Sequence, residues 1–386
     1  MKKLFYFFSV CTVLLSMVAC SNNVFEDELI EKASGAQTRS SASIVEAETS
    51  TLAYILSEGD WYSKTPGSIS RYNPSTNAIR TDFFKTVNGV SLGDTGNDMV
   101  LYNNMIYCLV SGHDLTSNDG GLWVISPTTG QATTRTIIQF PDPKMTGYKA
   151  MPRHMAFDNG ILYISTYSGG VIAVSANDPT KVTGCKVLPA KFSEGICVVN
   201  DVVYVCNSGK EGDETAGNGN TISYFSTKSL DGTSKGVSTM QTALNPKLIK
   251  YSSEAKCFYY NALGQGALNT SLHYFVNPAA GYKTIANVKG SDFDLTKDYI
   301  YSVDMNWNTY TTSMYRTRLM SDKGDALKIS GIDPSSFFGY SIVYHNGLLY
   351  VGESMSPRLF IFGENADYRN FVNTNVQNVN TVVFVN

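Results

Sequence analysis

The sequence predicts an all-β fold: a seven-bladed β-propeller closed by pairing of the C-terminal strand with the first blade. Three observations predict it. One ten-residue frame recurs along the chain, a further apolar strand and turn follow each copy, and a strand without a partner stands at each end of the array. Composition agrees: only 16% of the 386 residues are charged, against roughly 25% in ordinary soluble domains, and 12% are aromatic, which suits half-buried sheet surfaces.

The frame is clearest in DMVLYNNMIY (98–107), an apolar strand, an Asn turn and a second strand ending on Tyr. It returns without a gap as HMAFDNGILY (154–163), GICVVNDVVY (195–204), DFDLTKDYIY (292–301) and SIVYHNGLLY (341–350), and with a longer turn as LIKYSSEAKCFYY (248–260), whose marker is Tyr259. With the lone strand Leu52–Leu56 the marker tyrosines are Tyr54, Tyr107, Tyr163, Tyr204, Tyr259, Tyr301 and Tyr350, spaced by 53, 56, 41, 55, 42 and 49 residues. Segments such as SISRYNPSTN, GLWVISPTTG and LHYFVNPAAG follow the markers, and their Asn-Pro and Thr-Gly pairs supply turn geometry. Four short strands per repeat make a propeller blade. The strand Leu52–Leu56 lacks an innermost neighbour and Thr381–Val385 lacks a blade, so their pairing closes the ring and removes an edge.

Before the repeats, Met1-Lys2-Lys3 and an apolar run to Val18 precede Ala19-Cys20, a pattern similar to a bacterial lipoprotein signal. The expected divisions are a signal over 1–19, a lipidated Cys20 with a polar tether to residue 50, and the propeller over 51–386. The membrane is then met through lipid alone. The cluster Phe25-Glu26-Asp27-Glu28 resembles an acidic export signal that sends lipoproteins to the outer face of the outer membrane. Five cysteines remain, Cys108, Cys185, Cys197, Cys206 and Cys257, without metal-binding spacing, and a hairpin at Asn200-Asp201 sets Cys197 opposite Tyr204 rather than Cys206. Free thiols are expected.

A net charge of -3 without a basic run excludes a nucleic-acid footprint. Catalytic and phosphate-binding motifs are missing, and Gly264-Gln265-Gly266 lacks the third glycine of a dinucleotide site, so neither an enzyme nor a cofactor is expected. No metal is expected from His113 and His154 alone. The cluster Glu211, Asp213 and Glu214 does not have EF-hand spacing and reads as a solvated loop.

Ligand residues are expected at the axial mouth, where the residues opening each innermost strand meet the loops leaving each marker strand. The openings contribute Asp98, Arg153, His154, Glu194, Asp292 and Tyr340; the loops contribute Trp61, Tyr62, His113, Tyr167, Lys210, Trp307 and Met355. Aromatics beside amides and mixed charges suit a large ligand with an apolar face and polar edges. Trp123 lies in a strand pattern and is assigned to the core.

The order of LSEGDW, SISRYNPSTN, LGDTGNDMVLYNNMIYCLVSG, MPRHMAFDNGILYISTYSGGV and SEGICVVNDVVYVCNSG resembles that of the YncE-like propeller lipoproteins of Bacteroidetes. The resemblance spans residues 51–386. It implies the location, and through the BtuG group of that family it implies capture of cobalamin and its transfer to a TonB-dependent outer-membrane transporter. A glycan also stacks on Trp, and a protein-interaction platform or a lyase or lactonase uses the same fold, so these readings stay open at this point.

Overall fold

A computed structural model describes residues 51–385 apart from 115, 117, 118 and 211–214. The expected signal, Cys20, the tether and the Glu211–Glu214 cluster lie outside the described residues. Seven antiparallel sheets follow one another along the chain, six of four strands and one of three. The first blade is made of Leu52–Ser57, Ser68–Asn73 and Ala78–Arg80 with Val379–Val385 as its innermost strand, and Ala53 pairs with Phe384 and Ile55 with Val382. The expected closure is therefore observed.

The innermost strands of blades 2 to 7 are Gly96–Tyr102, Pro152–Asp158, Ser193–Val199, Pro246–Ser252, Asp292–Leu295 and Gly339–His345. Each turns back into the marker strand. Four of these hairpins have two-residue turns with both φ angles positive, at Asn103-Asn104, Asn159-Gly160, Asn200-Asp201 and Asn346-Gly347. That is the geometry that Asn, Asp and Gly adopt at least cost and that matches strand twist. Each hairpin tip therefore points away from the mouth.

Seven apolar clusters hold the ring, one in each interface between neighbouring blades. The marker tyrosines explain themselves here, because each ring packs toward the following blade. The Tyr54 hydroxyl reaches the carbonyl of Pro127 at 2.5 Å, that of Tyr107 the carbonyl of Ala176 at 3.2 Å, and that of Tyr259 accepts the Met320 N–H at 2.9 Å. An aromatic body with one polar tip fills an interface and still satisfies a backbone group at its edge. Trp123 is core as expected, 3% exposed, with its indole N–H on the Leu92 carbonyl at 2.7 Å.

Blade 2 departs from the expected four strands. After Gly121–Ile125 the chain returns to the sheet edge through isolated bridges at Ala132 and Ile138 and a Thr133 N–H bond to the Val124 carbonyl, without forming a fourth strand. A short helix, Phe83–Asn88, takes the place of regular pairing: Phe84 packs edge-on against Trp123, and the Asn88 amide bonds the Gly130 carbonyl and the Ala132 N–H. The five cysteines are free, with Cys108, Cys206 and Cys257 buried and Cys185 and Cys197 half-buried, and Cys197 sits opposite Tyr204.

Candidate functional site

Strand register decides what surrounds the axis. The residues opposite the marker tyrosines are Val383, Val100, Ala156, Cys197, Lys250, Asp294 and Val343 in blades 1 to 7. Three residues earlier, where each inner strand leaves the mouth face, stand Asn380, Asn97, Arg153, Glu194, Lys247, Ser291 and Tyr340. Hydrogen bonds gather most of these into two arcs.

The first arc runs across blades 2 to 5. Arg153 donates from Nε and Nη2 to Glu194 Oε2 at 3.1 and 3.0 Å and from Nη1 to Asn97 Oδ1 at 2.9 Å, and Lys247 Nζ reaches the same Glu194 oxygen at 2.8 Å. Gly195 makes this contact feasible, since a Cβ there would stand 2.7 Å from the Lys247 carbonyl oxygen and the Leu248 Cα. Burial works to raise the Glu194 pKa, but Arg153, Lys247 and His154 outweigh it and hold the carboxyl at about 2. Arg153 also lies over the Tyr167 ring, 4.9 Å from its centroid. The second arc joins blades 7 and 1, where Glu58 Oε1 accepts the Tyr340 hydroxyl at 2.8 Å and the Asn380 amide.

A second layer lies one residue deeper. Asp98 Oδ2 accepts the Met155 N–H and Asp292 Oδ2 the Ile342 N–H, at 2.9 and 2.8 Å, so each carboxylate ties its blade to the backbone of the next. Asp294 repeats this on the Tyr344 N–H and receives Lys250 Nζ at 2.8 Å. His154 lies between Asp98 and Glu194, with its nitrogens 3.6 and 3.9 Å from their carboxylate oxygens. Burial pushes the Asp292 carboxyl up to about 6 despite Lys250 nearby.

Of the thirteen residues expected at the mouth, Asp98, Arg153, His154, Tyr167, Glu194, Asp292 and Tyr340 thus belong to the two arcs and the layer beneath them. The others sit apart from these on the rim. Trp61 stacks on His113 at 4.9 Å and donates its indole N–H to the His113 carbonyl at 3.1 Å, while His113 Nδ1 meets Asp94 Oδ2 at 2.9 Å. Tyr62 meets Trp61 edge-on and is exposed. Across the ring Trp307 packs edge-on against Phe338 at 4.9 Å, and Met355 and Lys210 are exposed.

Lys247, Lys250 and Asn380 are the participants the sequence reading missed. The signal was present: allowing for the two extra residues of the turn between Ser252 and Cys257 puts Lys247 and Lys250 in register with Glu194 and Cys197. Asn380 follows in the same way from the closing strand.

Residues 53–217 match the family model described as "Domain of unknown function (DUF5074)". No curated protein sequence matches the chain. Among solved structures, a putative 6-phosphogluconolactonase from Bacteroides fragilis superposes with a TM-score of 0.61 at 10% identity, covering 89% of this chain and 100% of that one. The periplasmic gluconolactonase of Pseudomonas aeruginosa gives 0.59 at 9%, over 87% and 99%, and Citrobacter koseri AztD gives 0.50 at 8%, over 87% and 98%. At such identities the likeness shows one thing, the propeller fold that these proteins and this chain have in common.

Proposed function

We propose that this protein is a lipid-anchored, non-enzymatic propeller at the outer membrane, facing the cell exterior, which captures a small-molecule nutrient at its axial mouth and passes it to a TonB-dependent transporter. The observation that carries the reading is the pair of polar arcs with Tyr167 beneath Arg153: six blades contribute side chains to one mouth, and aromatics stand on the surrounding loops. Such convergence of a few polar groups near aromatic surface suits small-molecule recognition. The ring carboxylates are engaged in ion pairs and interblade bonds, an arrangement for holding rather than for proton transfer.

Cobalamin is the proposed ligand, on the strength of the family resemblance in the sequence; its corrin face and amide rim match the chemistry of the mouth. Calorimetric titration with cyanocobalamin, haem and a set of oligosaccharides tests this. Saturable binding of cyanocobalamin, weakened by Arg153→Ala, is the expected result. Binding of an oligosaccharide alone would favour the glycan reading, which Trp307, 36% exposed, also supports; no saturable binding by any of them would overturn small-molecule capture.

A further inference from the structure

The two arcs of the mouth are not neutralised alike. In the first, a single oxygen, Glu194 Oε2, receives Arg153 and Lys247 together, two cations on one carboxylate. An ammonium carries three donors. Lys247 spends one on Glu194, and its side chain stays 25% exposed. In the second arc Glu58 is held only through Oε1, by the neutral donors of Tyr340 and Asn380, and among the described residues no cationic nitrogen lies within 4.0 Å of it.

Lys247 belongs to blade 5 and Glu58 to the mouth loop of blade 1, three blades apart, the largest separation a ring of seven allows. Glu58 acts on Arg153 and Lys247 through space, yet among the described residues no ion pair or side-chain hydrogen bond joins them, so the extra cation of the first arc and the carboxylate of the second stand as separate charged groups of the mouth. A ring built only to fasten blades would pair each cation directly with its own carboxylate, whereas here one carboxylate takes two cations and the other takes only neutral donors. A ligand carrying one charge would relieve one side and leave the other as it was. A ligand carrying both, suitably spaced, would relieve the two together.

We propose that the mouth selects dipolar ligands, seating an anionic group on Lys247 beside Arg153 and a hydrogen-bond-donating cationic group on Glu58. This rests on the reading of the mouth as a small-molecule capture site and departs from cobalamin as its ligand, whose phosphodiester is an anion but whose amide rim carries no hydrogen-bond-donating cation. The ratio of affinities for dipolar and singly charged ligands comes from leaving polar groups of the site unpaired, a stronger source of discrimination than apolar fit.

The test uses three small probes of similar size: glycylglycine, which is dipolar, N-acetylglycine, which is anionic, and glycinamide, which is cationic. Binding to the purified protein is followed by saturation-transfer NMR, with cyanocobalamin titrated in parallel. Glycylglycine is expected to bind at least tenfold more tightly than either single-charge probe. Lys247→Met should remove that advantage and Lys247→Arg should keep it, so a folding defect in the first variant does not decide the matter. Glu58→Gln, which retains an acceptor for Tyr340 and Asn380, should make glycylglycine and N-acetylglycine equal. Equal affinities in the parent protein, or a preference untouched by both Lys247→Met and Glu58→Gln, overturn the inference. Saturable cyanocobalamin binding without any dipolar preference would overturn it too while leaving the capture reading in place; loss of all binding would sink both.

Discussion

The ring around the axis and the rim of loops are carried by the same blades, yet they hold their side chains in different ways. Arg153 makes three side-chain hydrogen bonds and lies over an aromatic ring, and its charge is matched by a carboxylate that is 5% exposed. Trp307 rests on one edge contact with Phe338. A residue fixed by strand register is positioned by the whole repeat, whereas a loop residue is positioned by whatever lies beneath it. The ring should therefore contribute to stability and to recognition at once, and the rim to recognition alone.

Ring and rim both depend on the closed blade frame, and its removal should have the largest effect. Deleting residues 378–386 takes away the inner strand of blade 1, and the truncated chain should aggregate or melt far below the parent in a thermal scan; an unchanged melting temperature would contradict the closure. Next in size is Glu194→Ala, which leaves Arg153 and Lys247 without their shared carboxylate. Denaturant unfolding should show a loss of about 3–5 kcal/mol, the range for breaking one side of a buried pair. Trp123→Ala should cost a similar ~3–5 kcal/mol through the cavity it leaves, without altering affinity in the folded fraction.

The pH dependence sharpens the picture, because two carboxylates of adjacent layers are displaced in opposite directions. Glu194 titrates at about 2 when folded, below its ordinary 4.5, so its contribution is fully present above about pH 4.5 and is lost as pH falls toward 2. Asp292 titrates at about 6, above its ordinary 3.8, so the folded state holds its proton more tightly and stability falls as pH rises from about 4 to 6. Together these two groups place their combined stability maximum at about pH 4, midway between their ordinary values, measurable as melting temperature against pH. Glu194→Gln should abolish the acid-side loss and leave the decline toward pH 6; a profile unchanged by that variant would show that the ring is not ionised as described.

The smallest stability effects belong to the rim. Trp61→Ala should cost about 1 kcal/mol, the worth of an aromatic stack beyond its buried area, and Trp307→Ala less. Each should nevertheless weaken ligand binding by ~2 kcal/mol or more if the aromatics anchor the ligand, read by titration beside a melting curve. Full affinity with lost stability would make them packing residues.

How much of this was legible in the sequence follows from the same contrast. The blades, their hairpin turns and the closing pair were readable because period-two strands and Asn-Gly or Asn-Asp turns are local signals. So were Arg153, Glu194 and Tyr340, each lying just before or at a recognisable frame. Lys247 was overlooked where an extended turn shifted the count, although the pairing of Lys250 with Tyr259 shows that strand register never changed. The helix Phe83–Asn88 and the three-stranded blade 2 were not readable, since both depend on Phe84 meeting Trp123 and Asn88 meeting Gly130, contacts that no local pattern encodes. The linkage of Glu58 with Tyr340 and Asn380 likewise joins positions about 300 residues apart in the chain and exists only once the ring has closed.

The blade assembled from both ends of the repeat array also sets a timetable. Leu52–Ser57 is among the first strands synthesised and Val379–Val385 is the last of the described strands, so the first blade waits for nearly the whole propeller to be made. Until then its marker strand shows unpaired N–H and C=O groups, a template for wrong partners. Contacts of such long sequence separation form slowly, and a growing chain of this kind passes through a window in which all other blades can be native while the molecule is still open. Helper proteins that shield strand edges would act in that window, and substitutions that slow Val379–Val385 from docking would lower yield without weakening the finished protein.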